Sequence, residues 1–329
     1  LNTQILITQE HPLENTTRAI TIGGVTVAPG QIQRLDLPVA RLPTQTLLSL
    51  PITVINGFAD GPRLWLSAAI HGDELNGVEI IRQVLAHIQP RQLKGTVIAA
   101  PIVNVFGFIE QSRYLPDRRD LNRSFPGSAR GSLASRLAHL FMSEVVSHCT
   151  HGIDLHTASH HRINLPQIRA NLRHPETRRC AQAFGTSLII HADTRDGSLR
   201  QAAAKQGVQV LLYEGGEALR FDPEVIQVGV NGITNVMAAL GMLTPTGITE
   251  PVEPLEFKET KWIRASRSGI VHMNTQLGQT VTKRQVLARI MDAWGNTSIK
   301  IYSPCTGIVI GSTQNPLVNQ GDGIIHIAY

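Results

Sequence analysis

Four short stretches hold the residues whose types and spacing could do chemistry. In "AAIHGDELNG" an apolar run stops at His71, and two carboxylates, Asp73 and Glu74, follow at once. Side chains three apart on a loop entering a helix can aim at one point. Zinc takes imidazole nitrogen and carboxylate oxygen in a tetrahedral set with one position open. The competing reading is a helix-entry turn in which Asp73 and Glu74 face the helix dipole. The second stretch, "GIDLHTAS", has the same form: a short apolar strand carries Asp154 and ends at His156. One His-x-x-Glu plus one His makes His2Glu, a ligand set of catalytic zinc sites. Asp154 either orients a ligand from behind or faces solvent. Gly72 and Gly77 are expected to supply special backbone angles for the turn into the helix.

In the third stretch, "VLLYEGG", Glu214 ends an apolar strand and precedes two glycines. A carboxylate there suits a general base; the alternative is a turn residue between flexible neighbours. The fourth, "QSRYLPDRRDLNRSFPG", crowds Arg113, Arg118, Arg119 and Arg123 into one segment. Such runs are usually solvated faces. Asn122 and Arg123, set among apolar and Pro/Gly neighbours, look more like part of a fixed binding loop, and arginine's planar fork suits a carboxylate. His139, His148, His151, His160 and His161 lie on helix or loop patterns and read as surface residues.

The elements that must position these groups alternate. From Leu64 to about Leu243, buried-strand runs such as "RLWLSAAI", "GTVIAAPIVN", "GIDLHT", "SLIIHA" and "VQVLLYEGG" are separated by helix-spaced segments such as "NGVEIIRQVLAHI" and "ETRRCAQAFG". That order predicts an α/β fold with a mixed, largely parallel sheet flanked by helices. In such sheets functional groups gather beyond the carboxyl ends of the strands. Before this section, residues 20–60 read as short strands with turns. After it, the Pro/Glu-containing joint "TPTGITEPVEPLEFKETKW" leads into short strands with Gly turns. The expected division is a catalytic unit over 1–250 and a small all-β barrel or sandwich over 257–329, with an internal echo between "SGIVHMNTQLGQTV" and "TGIVIGSTQNPLVNQGD". Its "SPCTGIVIG" resembles a strand of lipoyl- and biotinyl-type domains, but no lysine occupies the tip, where "DAWGNT" stands. A structural or pocket-covering role is expected instead of a carrier role.

Composition removes several function classes. The 329 residues are 42% hydrophobic and 17% charged, an ordinary globular balance able to build a core. The net charge is +5, but aromatics are only 5%, where nucleic-acid binders usually interleave them with clustered Lys/Arg; this argues against nucleic acid. Cys149, Cys180 and Cys305 are far apart and odd in number, so neither a disulfide framework nor a thiolate zinc site is indicated. No apolar run has the length of a membrane span, and "LNTQILITQEHPLENTTRA" lacks the features of a signal peptide. A cytoplasmic protein is expected; self-association is left open.

Taken in order, HGDE, SRY…DLNRSFPG, DLHT and YEGG resemble the succinylglutamate desuccinylase/aspartoacylase family, relatives of the zinc carboxypeptidases. The resemblance covers about residues 15–245, and the family also carries a C-terminal β domain. It implies one Zn2+ per chain held by His71, Glu74 and His156, with Glu214 as general base and proton shuttle. It implies that Arg113 polarises the scissile carbonyl and that Asn122 with Arg123 holds the substrate's terminal carboxylate. The expected reaction is hydrolysis of the amide of a small N-acyl amino acid. The rivals are a zinc carboxypeptidase acting on peptide C-termini and a catalytically silent binding homologue. The acyl group is not legible. The pocket-shaping stretches "ASHHRINLPQIRANLRHPE" and "HADTRDGSLRQ" offer Arg162, Arg169, Arg195 and Arg200, each expected at the surface unless one meets a second substrate carboxylate.

Overall fold

Trp65 shows why the sheet is buried on both faces. In the strand Ala59–Ala68, Leu64, Leu66 and Ala68 point to one side and Trp65 to the other, all of them fully enclosed. The first side packs on the helices Asn76–His87, Pro175–Phe184 and Pro223–Ala239 through Ile80, Val84, Phe184, Ile233 and Met237. The other packs on the helices Leu133–Glu144 and Leu199–Lys205 through Leu137, Phe141, Leu199 and Ala203. Each such Leu or Ile contributes about 1.5–3 kcal/mol by leaving water. Gly152 is required here, since a Cβ on it would sit 2.3 Å from the Trp65 indole.

The structure, a computed structural model, describes residues 18–244 and 253–329. The N-terminal stretch weighed as a signal and the middle of the Pro/Glu joint lie outside those residues. Among the described residues, thirteen strands make one mixed sheet. Its centre is parallel: Lys94–Ala100, Ala59–Ala68, His151–His156 and Gln209–Glu217 lie side by side. Antiparallel strands Leu47–Asn56 and Gln31–Arg41 extend one edge. The other edge runs antiparallel through Arg162–Ala170, Gly307–Thr313, Gly323–Ala328 and Thr260–Arg264. The mixed α/β architecture is as the alternation predicts.

Two features go beyond it. The pocket-shaping stretch holds an unassigned strand, Arg162–Ala170; its polar residues Asn164 and Arg169 line a cavity, so no apolar alternation marks it. The C-terminal strands have an apolar cluster of their own around Val271, Leu287, Ile290 and Ile325, yet they also prolong the main sheet. One lateral row therefore crosses five strands: Gly216, Asn164, Gly311, His326 and Trp262 are successive register partners.

Candidate active site

The parallel register places the chemistry at one end of the sheet. Ser67 lies beside Asp154, and His156 lies beside Glu214, at the carboxyl ends of their strands. Between strand and helix, Ala69 takes the left-handed conformation, with φ of 48°. Gly72 and Gly77 do not, which corrects the expectation of special angles there. Their missing Cβ matters instead. A Cβ on Gly72 would lie 1.9 Å from the Gly107 carbonyl carbon, and one on Gly77 would lie 2.7 Å from the Cβ atoms of Ala68 and Leu155. The loop carrying His71 and Glu74 is thus pressed against neighbouring backbone.

His71 and His156 converge on Glu74. His71 Nδ1 is 2.7 Å from Glu74 Oε1, and His156 Nδ1 is 2.8 Å from Glu74 Oε2. The rings are 5.1 Å apart, and all three side chains are buried. One ligand atom from each lies within 4.8 Å of the others. The outer nitrogens are also held: His71 Nε2 faces Asp120 Oδ1 at 3.2 Å, and His156 Nε2 faces Asp154 Oδ2 at 2.9 Å. Asp154 accepts from Ser67 at 2.8 Å, and Ser67 accepts from the Trp65 indole at 3.2 Å. Asp154 therefore faces a ligand candidate and not solvent.

The electrostatics follow from this crowding. Burial works against the charged form of both imidazoles, but Glu74 with Asp120, and Asp154 with Glu74, outweigh it and hold both pKa values up. Burial likewise disfavours the Glu74 carboxylate, and the two imidazolium charges overcome it and hold its pKa far below the usual range. Two inward nitrogens and one carboxylate, each imidazole backed by a second carboxylate, fit a divalent cation: His2Glu with oriented histidines is a catalytic zinc donor set.

Around this group lies a cavity of about 320 Å³, lined also by Arg113, Asn122, Arg123 and Glu214. Arg113 donates to Asp120 Oδ2 at 2.8 Å and lies 3.6 Å from Glu74. Asn122 accepts from the Leu199 N–H at 2.9 Å, and Arg123 donates to the Asn122 carbonyl at 2.5 Å. Arg118 and Arg119 point outward. Burial pushes the Glu214 pKa upward, Arg169 and His156 pull against it, and Asn164 donates to its Oε2 at 2.7 Å. His71, Glu74, Arg113, Asn122, Arg123, His156 and Glu214 thus share one cavity.

Arg162, Arg169, Arg195 and Arg200 line it as well, a correction to their expected place on the outer surface. For Arg162 and Arg169 the reason is that a strand position facing a cavity and one facing solvent have the same polar sequence. A second His/Glu/Cys group, His151, Glu176 and Cys180, lies elsewhere, and there Arg179 grips Glu176 at 2.5 and 3.0 Å. His151 is thus half-buried beside Glu176 and not a plain surface residue.

Residues 60–240 match the family model of the succinylglutamate desuccinylase/aspartoacylase catalytic domain. The chain belongs to that family. It is 26% identical over 293 residues to the N-alpha-acetyl-L-2,4-diaminobutyric acid deacetylase of Halomonas elongata, covering 85% of each chain. The succinylglutamate desuccinylase/aspartoacylase structure from Rhodobacter sphaeroides matches with a TM-score of 0.81 at 25% identity, over 91% of this chain and 95% of that one. The product-bound ectoine utilization protein from Ruegeria pomeroyi has the same fold, with a TM-score of 0.82 at 23% identity over 92% and 97% of the two chains.

In this family member, sequence reasoning missed three partners. Asp120 bridges His71 and Arg113, Thr157 donates its N–H to Glu74 Oε2 at 3.2 Å, and Asn164 holds Glu214. Asp120 had a signal: it caps the one-turn helix Leu121–Arg123 inside the quoted arginine stretch. Asp73 remains without a chemical role; it is buried, and among the described residues its Oδ1 has no partner.

Proposed function

We propose that this chain is a zinc-dependent amidohydrolase that cleaves a small N-acyl amino acid into a carboxylate and an amine. The observation that carries the reading is the meeting of His71, Glu74, His156 and a Glu214 of raised pKa in one cavity. The relative from Halomonas elongata, a deacetylase of an N-acetylated amino acid, supports it.

His71, Glu74 and His156 would hold the zinc, whose Lewis acidity acidifies water and polarises a carbonyl oxygen. Glu214 takes the proton of the attacking water and returns it to the leaving nitrogen as the amide C–N bond breaks; a raised pKa suits that two-way use near neutral pH. Arg113, steadied by Asp120, points a donor at the carbonyl oxygen where charge develops. Losing one such donor costs about 10²–10³ in rate. Asn122 has its carboxamide oxygen taken by Leu199, which leaves its amide donors, together with Arg123, for the substrate carboxylate.

The substrate is small and anionic in this reading. Trp262 and His326 wall the cavity, which suits a small ligand better than a peptide chain. Arg169 Nε and Arg200 Nη1 are buried without partners among the described residues, and burial with the neighbouring Arg169 pushes the Arg200 pKa down to about 10. A second anionic group on the substrate would relieve both. Among the described residues no helix is long and apolar enough to cross a membrane. A cytoplasmic location fits the buried free thiols of Cys149 and Cys180. The test pairs metal analysis with turnover of N-acetyl, N-succinyl and N-formyl amino acids. Stoichiometric zinc and hydrolysis of at least one class are expected; absence of zinc removes the site assignment.

A further inference from the structure

The carboxylate of Glu214 faces the cavity, and a general base is effective only if its oxygen is held toward the water it must deprotonate. Among the described residues, one hydrogen bond reaches that carboxylate, from Asn164 Nδ2 to Oε2 at 2.7 Å. Asn164 is buried on the strand Arg162–Ala170, beside Gly216 on one flank and Gly311 on the other. Gly311 belongs to a C-terminal strand. A Cβ there would sit 2.8 Å from Asn164 Oδ1 and 3.2 Å from the Ile163 carbonyl oxygen. Any side chain at 311 would therefore push the carboxamide out of its place.

We infer that Asn164 is a positioning residue for the Glu214 carboxylate and that Gly311 gives its carboxamide the room to act. The inference rests on Glu214 being the general base. The carboxamide donates to Oε2, which fixes the carboxylate plane and leaves Oε1 for the water proton. Asparagine suits the task because its donor is neutral: it steadies the carboxylate without competing for the proton. The C-terminal strands thus reach the chemistry through one glycine on the register row Gly216–Asn164–Gly311–His326–Trp262. The bland alternative is that Asn164 only satisfies a buried carboxylate and supports the fold.

The two are separated by a double-mutant cycle on the zinc-loaded full chain, with N-acyl amino acids as substrates. Asn164→Ala should lower kcat by about 10–10², the scale of a small misplacement of a catalytic group, with KM and bound zinc little changed. Gly311→Ala should show a similar loss. The double variant should be no slower than Asn164→Ala alone, because both act through one contact. Asn164→Asp keeps the shape and sets a second carboxyl beside Glu214, so the acid limb of kcat/KM should move to higher pH. A purely structural role would lower Tm in Asn164→Ala and Gly311→Ala and leave their kcat in place. Crystal structures of Asn164→Ala and Gly311→Ala give a readout free of activity: Glu214 should leave its wild-type rotamer. Multiplying losses in the double variant, an unchanged kcat in Asn164→Ala, or an unmoved Glu214 overturns the inference. If Glu214→Gln is inactive while Asn164→Ala is not impaired, only the inference fails. A fully active Glu214→Gln would remove the reading beneath it.

Discussion

Asp154 stands behind His156, with Oδ2 2.9 Å from Nε2, while its other oxygen accepts from Ser67 at 2.8 Å. A carboxylate fixed at both ends sets the ring's plane and leaves Nδ1 facing Glu74. Such backing carboxylates raise ligand basicity, and losing one typically weakens metal binding by about 10–100-fold. His156→Ala should therefore lose stoichiometric zinc, and Asp154→Asn should keep the site with affinity reduced about 10–100-fold. Competition with a chromogenic chelator reads both. Wild-type zinc affinity in His156→Ala would sink the ligand assignment.

Glu214→Gln separates metal binding from proton transfer. The variant keeps the size and the contact surface of the side chain but cannot accept a proton. Zinc content should match wild type, while turnover should fall by about 10²–10⁴, the usual share of general acid–base catalysis. Steady-state kinetics with metal analysis on the same sample checks this. Full activity would show that another group accepts the proton.

What could be read from the sequence follows from where side chains sit relative to strand ends. His71, His156 and Glu214 were legible because each closes an apolar run, where a polar residue needs a reason. Glu74 was legible by its spacing from His71. Asn164 was hidden because its partner is distant in sequence: it meets Glu214 fifty positions away. Arg169 reads as a surface residue because a strand lining a wet cavity has the polar pattern of an exposed one. The turn after the strand Ala59–Ala68 differs from its sequence reading as well. Glycine suggested unusual angles, but the left-handed residue is Ala69, and the glycines serve close packing.

His326 makes the fold sensitive to mild acid. It is 5% exposed and stacks on Trp262, and burial, helped by the charges of Arg169 and Arg162, holds its pKa down to about 3. In the unfolded chain it would titrate near about 6.5. Between those values the unfolded state binds a proton that the folded state does not. The stability is therefore fully present above the unfolded value and declines as pH falls below it. By about pH 5 the loss from this group is about 2 kcal/mol. His326→Phe keeps an aromatic ring for Trp262 and removes the titration. The wild-type Tm should drop more steeply than the variant's on going from pH 7 to pH 5; parallel curves would refute the assignment.

Arg200 is the sharpest test of the substrate's charge. Its Nη2 donates to the Asp193 carbonyl at 2.9 Å, but among the described residues Nη1 is buried without a partner, as is Nε of Arg169 nearby. Two guanidinium groups held together in a shared wall repel, and each lowers the cost of bringing in an anion. A charge-assisted hydrogen bond contributes about 1.5–3 kcal/mol, roughly 10–150-fold in binding. Arg200→Leu should thus raise KM for N-acyl amino acids bearing an additional carboxylate by roughly that factor. Singly charged analogues, held by Asn122 and Arg123, should change little. Removing a buried charge beside Arg169 should also leave the ligand-free protein no less stable, as thermal unfolding would show. If both substrate classes lose affinity equally, Arg200 shapes the cavity without reading charge, and a second anionic group is no longer required.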